Sequence, residues 1–431
     1  MKKTINFASD MKKRMMWTAI ALIMMATTVV TGCSSDNDNQ LPTPPPDPIV
    51  TPSTLELTRA EQAMVNESNE FAFNLFREAQ DGVSSQVLSP LSITFALGML
   101  NNGAGGQTLA QINNVLGFAD TGADGINNFC YKMLNTASAL DPLTKVMIAN
   151  NIYVNKGNEL LTDFVQKAKL FYDAEPETRD FCDGKTRDVI NQWASDHTEK
   201  MIEEVLDENS FNPGLVSYLL NAIYFKGSWT KKFDKALTTR EVFEHAGQTL
   251  EVTYADMMHQ TADFEYAETY GSQALRMPYG NGSFQMTVLL AKGWSNAVPQ
   301  VPTAEEWQQL NQKMHTALVD VKLPRFTTDT DIDLKLIMTK LGMPDAFDDL
   351  KANFCNFCEL PVYIALMKQV AKIQVDEEGT EAAAVTVIGM DGKSAITEPE
   401  IVTFHANRPF LYVISEKQTG AIFFIGQYTG Y

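Results

Sequence analysis

Between Thr380 and Gly392 the side chains alternate in a way that a flexible linker has no need of. Thr380, Ala382, Ala384, Thr386, Ile388, Met390 and Gly392 form one set at period two, and none is charged. Glu381, Ala383, Val385, Val387, Gly389 and Asp391 form the other set, which holds both charges. This is the pattern of a strand with one buried face. That face is made largely of small side chains, the composition needed to slip between strands already in place. The surrounding run 376–400, DEEGTEAAAVTVIGMDGKSAITEPE, has no aromatic residue in a chain that is 10% aromatic. A structureless run of that length inside a compact domain is usually functional or disordered, and the alternation points to function.

The rest of the chain decides what kind of body surrounds this segment. From about Leu55 to Tyr431 there is no low-complexity break, no repeat and no second linker, so 55–431 reads as one domain. With 45% apolar residues it can bury a large core. Helices come first. EQAMVNESNEFAFNLFREAQDG (61–82) sets Phe71, Leu75 and Phe76 on one face, and TLAQINNVLG (108–117) does the same with Leu109, Ile112 and Leu116, each closing on a glycine. Between them, VLSPLSITFALGMLNNGAGG (87–106) offers Ser89 and Pro90 as N-cap and first-turn residue of a helix apolar nearly all round, hence buried. Strands follow: 217–229, 284–291, 316–326, 362–377, 408–416 and 421–428 are rich in β-branched and aromatic residues. Helices early and strands late predict an α+β fold with more than one sheet.

The first 32 residues are of another kind. Lys2, Lys3, Lys12, Lys13 and Arg14 precede the uncharged apolar run Trp17–Val30, too short to span a bilayer and suited to a signal peptide, with Met11 as a second candidate start. The run ends in Val30-Thr31-Gly32-Cys33, which resembles the lipobox of bacterial lipoproteins, where cleavage precedes the cysteine and lipid is attached to it. The alternative is a freely secreted chain. Cleavage before Cys33 removes five positive charges and Asp10, taking the formal charge from −19 to −23. Residues 34–53, SSDNDNQLPTPPPDPIVTPS, hold six prolines and read as an extended tether, so 33–54 forms the anchor region. At about 3.1 Å per residue it reaches roughly 60 Å. The resemblance implies an outer-membrane lipoprotein. Asp36 and Asp38 look like the acidic residues that accompany export to the cell surface in one Gram-negative group.

Several function classes are disfavoured. The charge of −19 argues against nucleic acid, which needs clustered Lys and Arg. His197, His245, His259, His315 and His405 are scattered, with no HExxH and no GxSxG, so each reads as a surface or packing residue and no enzyme is expected. Cys355 and Cys358 form a lone CxxC, open to reading as a redox pair, half a zinc site or two plain thiols. No second CxxC or close His pair completes a zinc site, so no metal and no cofactor is expected, and a Cys355–Cys358 disulfide is available in an oxidising compartment.

EEGTEAAAVT (377–386) resembles the hinge of the serpins, and the resemblance runs through the domain. SPLSITFALGMLNNGAGGQT, LLNAIYFKGSW, LPRF, LGMPDAF and ANRPFLYVI stand in the order that family shows. It implies the serpin fold: helices around three β-sheets, with an exposed reactive-centre loop at about 377–400 that inserts into the largest sheet after cleavage. It further implies an inhibitor that traps its protease as an acyl-enzyme, with Glu377, Glu378, Gly379, Thr380, Glu381, Ala382, Ala383 and Ala384 as the hinge. Counted from Gly379 in the family's way, the scissile bond falls at Lys393-Ser394, which suits a trypsin-like target. Met390, Ile388 or Ala395 would instead bait elastase-like or other proteases, including cysteine proteases. Ser89, Ser92 and Asn221 match the region called the shutter, and Trp229 the place where the hinge first enters. Gln369 stands where the family usually has His, which puts pH-sensitive opening through that site in doubt. A covalent complex with the protease, a membrane contact through Cys33 and a monomeric chain complete the expectation. A non-inhibitory serpin, or a binding module held out on the tether, are the other readings.

Overall fold

The computed structural model describes residues 54–137, 139–244, 253–269, 271–293, 297–380 and 400–430. The expected leader, Cys33, the tether, Glu381 to Ala384, Lys393 and Ser394 lie outside the described residues.

The helices are α1 (Arg59–Ala79), α2 (Pro90–Asn101), α3 (Gly106–Leu116), α4 (Ala123–Ala137), α5 (Thr162–Tyr172), α6 (Lys185–His197), α7 (Ala304–Lys313) and α8 (Lys335–Leu341). The strands are β1 (Gln86–Leu88), β2 (Thr144–Asn155), β3 (Glu177–Arg179), β4 (Ser217–Ser228), β5 (Thr239–Phe243), β6 (Thr253–Glu268), β7 (Ser272–Tyr279), β8 (Phe284–Ala291), β9 (His315–Pro324), β10 (Phe326–Asp333), β11 (Leu366–Asp376), β12 (Gly379–Thr380), β13 (Val402–His405), β14 (Phe410–Glu416) and β15 (Ile422–Tyr428). This is an α+β fold with more than one sheet, as the sequence predicts.

Local sequence explains the helix that matters most for the site. Ser89 is the N-cap of α2 and Pro90 its first residue; every residue of α2 is buried, as its all-round apolar character requires. Helix α1 begins with a Thr58–Glu61 capping box, and α3 ends at Gly117 in the left-handed conformation.

Hydrogen bonding among the described residues gives two sheets where three were expected. One has six strands in the order β10-β11-β12-β4-β2-β3. The other has nine, β1-β15-β14-β8-β7-β6-β9-β13, with β5 on β6. The 16-residue strand β6 serves both halves of the larger sheet: it pairs with β5 and β9 along most of its length and with β7 at its end. Two smaller sheets are thereby joined through one long strand.

The six-stranded sheet has two covered faces. Leu219, Ile223 and Phe225 of β4 and Met367, Ala371, Ile373 and Val375 of β11 face the main core. On the other face Tyr218, Leu220 and Ala222 meet Ile190 and Ala194 of α6 and the segment Ile202 to Leu206. Phe225 is where the two sheets meet. Its ring packs edge-on against Tyr279, Phe284 and Phe424, with centroids 5.1, 6.0 and 5.8 Å away. Removing it leaves a cavity that three rings cannot close, so Phe225→Ala should cost about 3–5 kcal/mol. Chemical denaturation of the uncut protein is the measurement, and a loss under about 1 kcal/mol would contradict this packing.

Candidate functional site

The candidate site is a seam between two strands. Strands β4 and β11 run parallel as neighbours, from Tyr218 opposite Leu366 to Tyr224 opposite Lys372, and then part. Into the opening between them comes β12, antiparallel to both. Thr380 lies opposite Val375 and Gly227, and Gly379 opposite Asp376 and Ser228.

The turn into β12 is built from Asp376 to Gly379. The Asp376 carboxylate accepts from the backbone N–H groups of Glu378 (2.9 Å) and Gly379 (3.3 Å). Gly379 has φ +146, and a Cβ there would lie 2.1 Å from the Gly227 carbonyl oxygen and 2.6 Å from Ser228 Cα. Only glycine fits. Trp229 closes the mouth: its indole N–H donates to the Asp376 carbonyl (2.9 Å), its backbone N–H to the Glu378 carbonyl (2.7 Å), and its ring stacks on Tyr279 with centroids 4.4 Å apart. The Tyr279 hydroxyl bonds the Thr380 hydroxyl at 2.9 Å, so Thr380 faces the core with no exposed surface. The facing expected at Thr380 is therefore the one observed.

Two acids pin the turn. Glu377 is 1% exposed; its carboxylate pairs with Arg325 (2.6 Å) and accepts from the Thr238 hydroxyl (2.7 Å). Burial pushes this carboxyl up, but the Arg325 guanidinium and the Thr238 hydroxyl outweigh it and hold it below the ordinary value. Glu378 pairs with Lys232 (2.9 Å) and Lys235 (3.1 Å), and the Lys232 ammonium is the main reason its carboxyl is also held low.

Halfway along the seam lie the expected shutter residues, brought together from three elements. Asn221 and Gln369 sit opposite each other in the parallel register. The Gln369 amide donates to Asn221 Oδ1 (2.5 Å), Ser92 Oγ (3.0 Å) and the Ser89 carbonyl (3.1 Å), and its oxygen accepts from the Ser89 N–H (3.0 Å). Ser92 Oγ also donates to Asn221 Oδ1 (2.8 Å), while the Asn221 amide donates to Asn150 Oδ1 on β2 (2.7 Å). The amide of Gln369 meets every partner without a titrating group.

The ion pairs around Glu377 and Glu378 are invisible to sequence reading, since Arg325 is 52 residues from Glu377. So is a cluster on the larger sheet. His259 and His405, scattered along the chain, flank the Asp320 carboxylate at 2.6 and 2.9 Å from β6 and β13. His197 bonds the Trp193 carbonyl and His315 that of Lys313, as surface residues do, while His245 lies outside the described residues. Cys355 and Cys358 are free thiols, not a disulfide.

A family model described as serpin (serine protease inhibitor) matches residues 66–430, and the chain belongs to that family. Human serpin B8 is 32% identical over 370 residues, covering 83% of this chain and 97% of its own. Neuroserpin of Gallus gallus is 30% identical, covering 88% and 94%. Among solved structures, the thermophilic serpin tengpin in its native state superimposes with a TM-score of 0.77 at 27% identity, covering 88% of this chain and 97% of that one.

The mouth of the seam should respond to acid. Glu377 and Glu378 have depressed folded pKa values, so their contribution is present above the unfolded carboxylate value and is lost as pH falls through the folded one. Trp229 emission should therefore change between about pH 5 and pH 3, before the global unfolding transition. The double variant Glu377→Gln, Glu378→Gln should lose that early step; a step of unchanged size in the variant would assign it to other groups.

Proposed function

We propose that this serpin is an inhibitor of trypsin-like serine proteases that works as a suicide substrate. The observation that carries the reading is the wedge itself: Gly379 and Thr380 already occupy the mouth of the seam as a two-residue strand between β11 and β4. Continuing that register puts 386 opposite both Gln369 and Asn221, 389 opposite Leu366 and 390 opposite Ser217. Thr386, which with Thr380 supplies the hydroxyls of the inward set, would thus reach the polar stop under the seam. Lys393 arrives just beyond the ends of both strands, at the far edge of the sheet.

In this mechanism the protease attacks the bond after Lys393 and the freed segment zips downward from Thr380. Residues 380–393 span roughly 46 Å as a strand, enough to carry an attached protease across the domain before water releases it. One parallel ladder is exchanged for two antiparallel ones. A net dozen or so hydrogen bonds at about 1 kcal/mol each, with added burial, exceeds the roughly 5–15 kcal/mol that holds an ordinary protein folded. That is enough to distort a captured active site. Cleavage at a neighbouring bond, by elastase-like or cysteine proteases, would use the same strand. The lipid at Cys33 and the tether 34–53 would hold the monomeric inhibitor at an outer membrane; among the described residues no helix is long and apolar enough to cross one.

Mixed with trypsin, the protein should give a band near the summed mass on a denaturing gel. The released C-terminal fragment should begin at Ser394 by mass spectrometry. A cleaved inhibitor beside fully active trypsin would defeat the trapping mechanism, and a fragment beginning elsewhere would move the reactive bond.

The buried Thr380 supplies the sharpest variant. Thr380→Arg must bury a guanidinium against Tyr279, costing several kcal/mol, so it should turn inhibitor into substrate with little complex formed. An unchanged stoichiometry of inhibition would rule out insertion through this face. Wild-type protein nicked in the loop should melt later than the uncut form.

A further inference from the structure

The CNFC motif is not absorbed by the inhibitory mechanism, and its surroundings give it a role. The N–H groups of Phe357 and Cys358 both reach the Phe354 carbonyl, at 2.9 and 3.2 Å, closing 354–358 into one helical turn. Residues three apart on such a turn share a face with Cβ atoms about 5–6 Å apart, a small adjustment from the about 4 Å of a disulfide. Cys355 is exposed and Cys358 lies beneath it, 2% exposed. Gly105 leaves room for the outer thiol: a Cβ there would come within 2.9 Å of Cys355 Sγ.

The turn is also a junction. Its Asn353 carbonyl accepts from the Gly105 N–H (2.9 Å), the Asn356 N–H donates to the Gly103 carbonyl (3.1 Å), and the Asn356 amide donates to the Ala104 carbonyl (3.1 Å). The Leu161 N–H donates to the Phe357 carbonyl (2.9 Å), and the Phe357 ring packs on Phe164 with centroids 4.6 Å apart. One short turn therefore ties the end of α2, the start of α3 and the start of α5. Helix α2 carries Ser89 and Ser92 of the seam at its other end.

We propose that Cys355 and Cys358 are a reversible oxidation site, a nucleophilic and a resolving thiol whose disulfide braces this junction. The Cys355 thiolate attacks a disulfide-bearing oxidant such as oxidised glutathione, forming a mixed disulfide and expelling one glutathione thiolate. Cys358 then gives up its proton and attacks Cys355 Sγ, forming the Cys355–Cys358 bond and expelling the second glutathione. Two thiol protons and two electrons pass to the oxidant, which leaves as two thiols. The other cysteines in the described residues take no part: Cys130 is buried in the core with its thiol pushed up to about 12, and Cys182 is exposed without a neighbouring thiol.

The test treats the full chain with oxidised glutathione, followed by alkylation and peptide mapping. The peptide holding Cys355 and Cys358 should lose about 2 Da and take no alkylating agent. In Cys358→Ser the same peptide should instead keep a glutathione adduct of about 305 Da on Cys355. Oxidation should raise the melting temperature of the uncut wild type, a reducing thiol should reverse the rise, and Cys355→Ser, Cys358→Ser should show neither. A stable glutathione adduct on wild-type Cys355, or two thiols still open to alkylation, would overturn the site. A disulfide that leaves the melting temperature unmoved would overturn the brace. Neither outcome bears on protease trapping, which is read from complex formation with trypsin.

Discussion

Everything in this molecule turns on one parallel ladder between β4 and β11, set in a sheet whose other long-strand pairings, β10–β11 and β2–β4, are antiparallel. Parallel pairing is slightly the weaker of the two, and two parallel neighbours leave room for a strand of opposite direction between them. The entering strand makes both of its contacts antiparallel, as Gly379 and Thr380 already do. On the proposed mechanism the intact fold stops short of the best pairing its own chain can make, because the chain past Thr380 continues to β13, which pairs with β9 of the other sheet. Cutting the loop would, on that mechanism, remove the tie. Any free energy so stored would be a property of topology and would need no strained side chain to explain it.

A seam of this kind has to be held shut without being locked, and the means differ along its length. In the middle, neutral groups do the holding: Ser89, Ser92, Asn150, Asn221 and Gln369 share hydrogen bonds under the strands. Breaking such a network would leave buried amides without partners, at about 1–3 kcal/mol each, so partial opening is opposed unless another hydroxyl takes the vacated positions, as Thr386 would in the proposed insertion. At the mouth, charged groups do the holding through Arg325, Lys232 and Lys235. With an amide at 369, the carboxyls held low beside the seam, Glu377 and Glu378, stand at its mouth.

What could be read from sequence follows the range of the interactions. The N-cap at Ser89, the buried character of α2 and the inward facing of Thr380 depend on neighbours within a few residues, and each was legible. Strand β6 was not: TYADMMHQTADFEYAE mixes polar and apolar residues because part of it edges one half of the sheet and part the other, so no single period describes it. Helix α6 also escaped notice, since only Thr186, Ile190 and Ala194 are buried and its apolar stripe is narrow. The hinge motif placed Glu377 in the site, yet its partner Arg325 stands at the β9–β10 corner and could be found only from the folded chain. The His259–Asp320–His405 cluster, drawn from three strands, was hidden for the same reason.

The two sides of the seam are not equivalent, and this decides how it opens. Tyr218, Leu220 and Ala222 of β4 are fully buried with Tyr153 of β2 under α6 and the segment Ile202 to Leu206, and the Tyr218 ring packs against Phe181 and Phe211. On β11 only Leu366 and Val370 touch that cluster, and both are partly exposed. Separating β11 from β4 therefore strips two half-buried side chains from the outer layer, whereas moving β4 away from α6 would expose a closed aromatic and aliphatic cluster at far greater cost. If the sheet opens as proposed, β2, β3 and β4 with α6 would stay together as one body, and β10 with β11 would be the leaf that gives way. A strand inserted as proposed would bring small side chains to the seam, Ala382 and Ala384 being among the least demanding residues a closing sheet could be asked to cover.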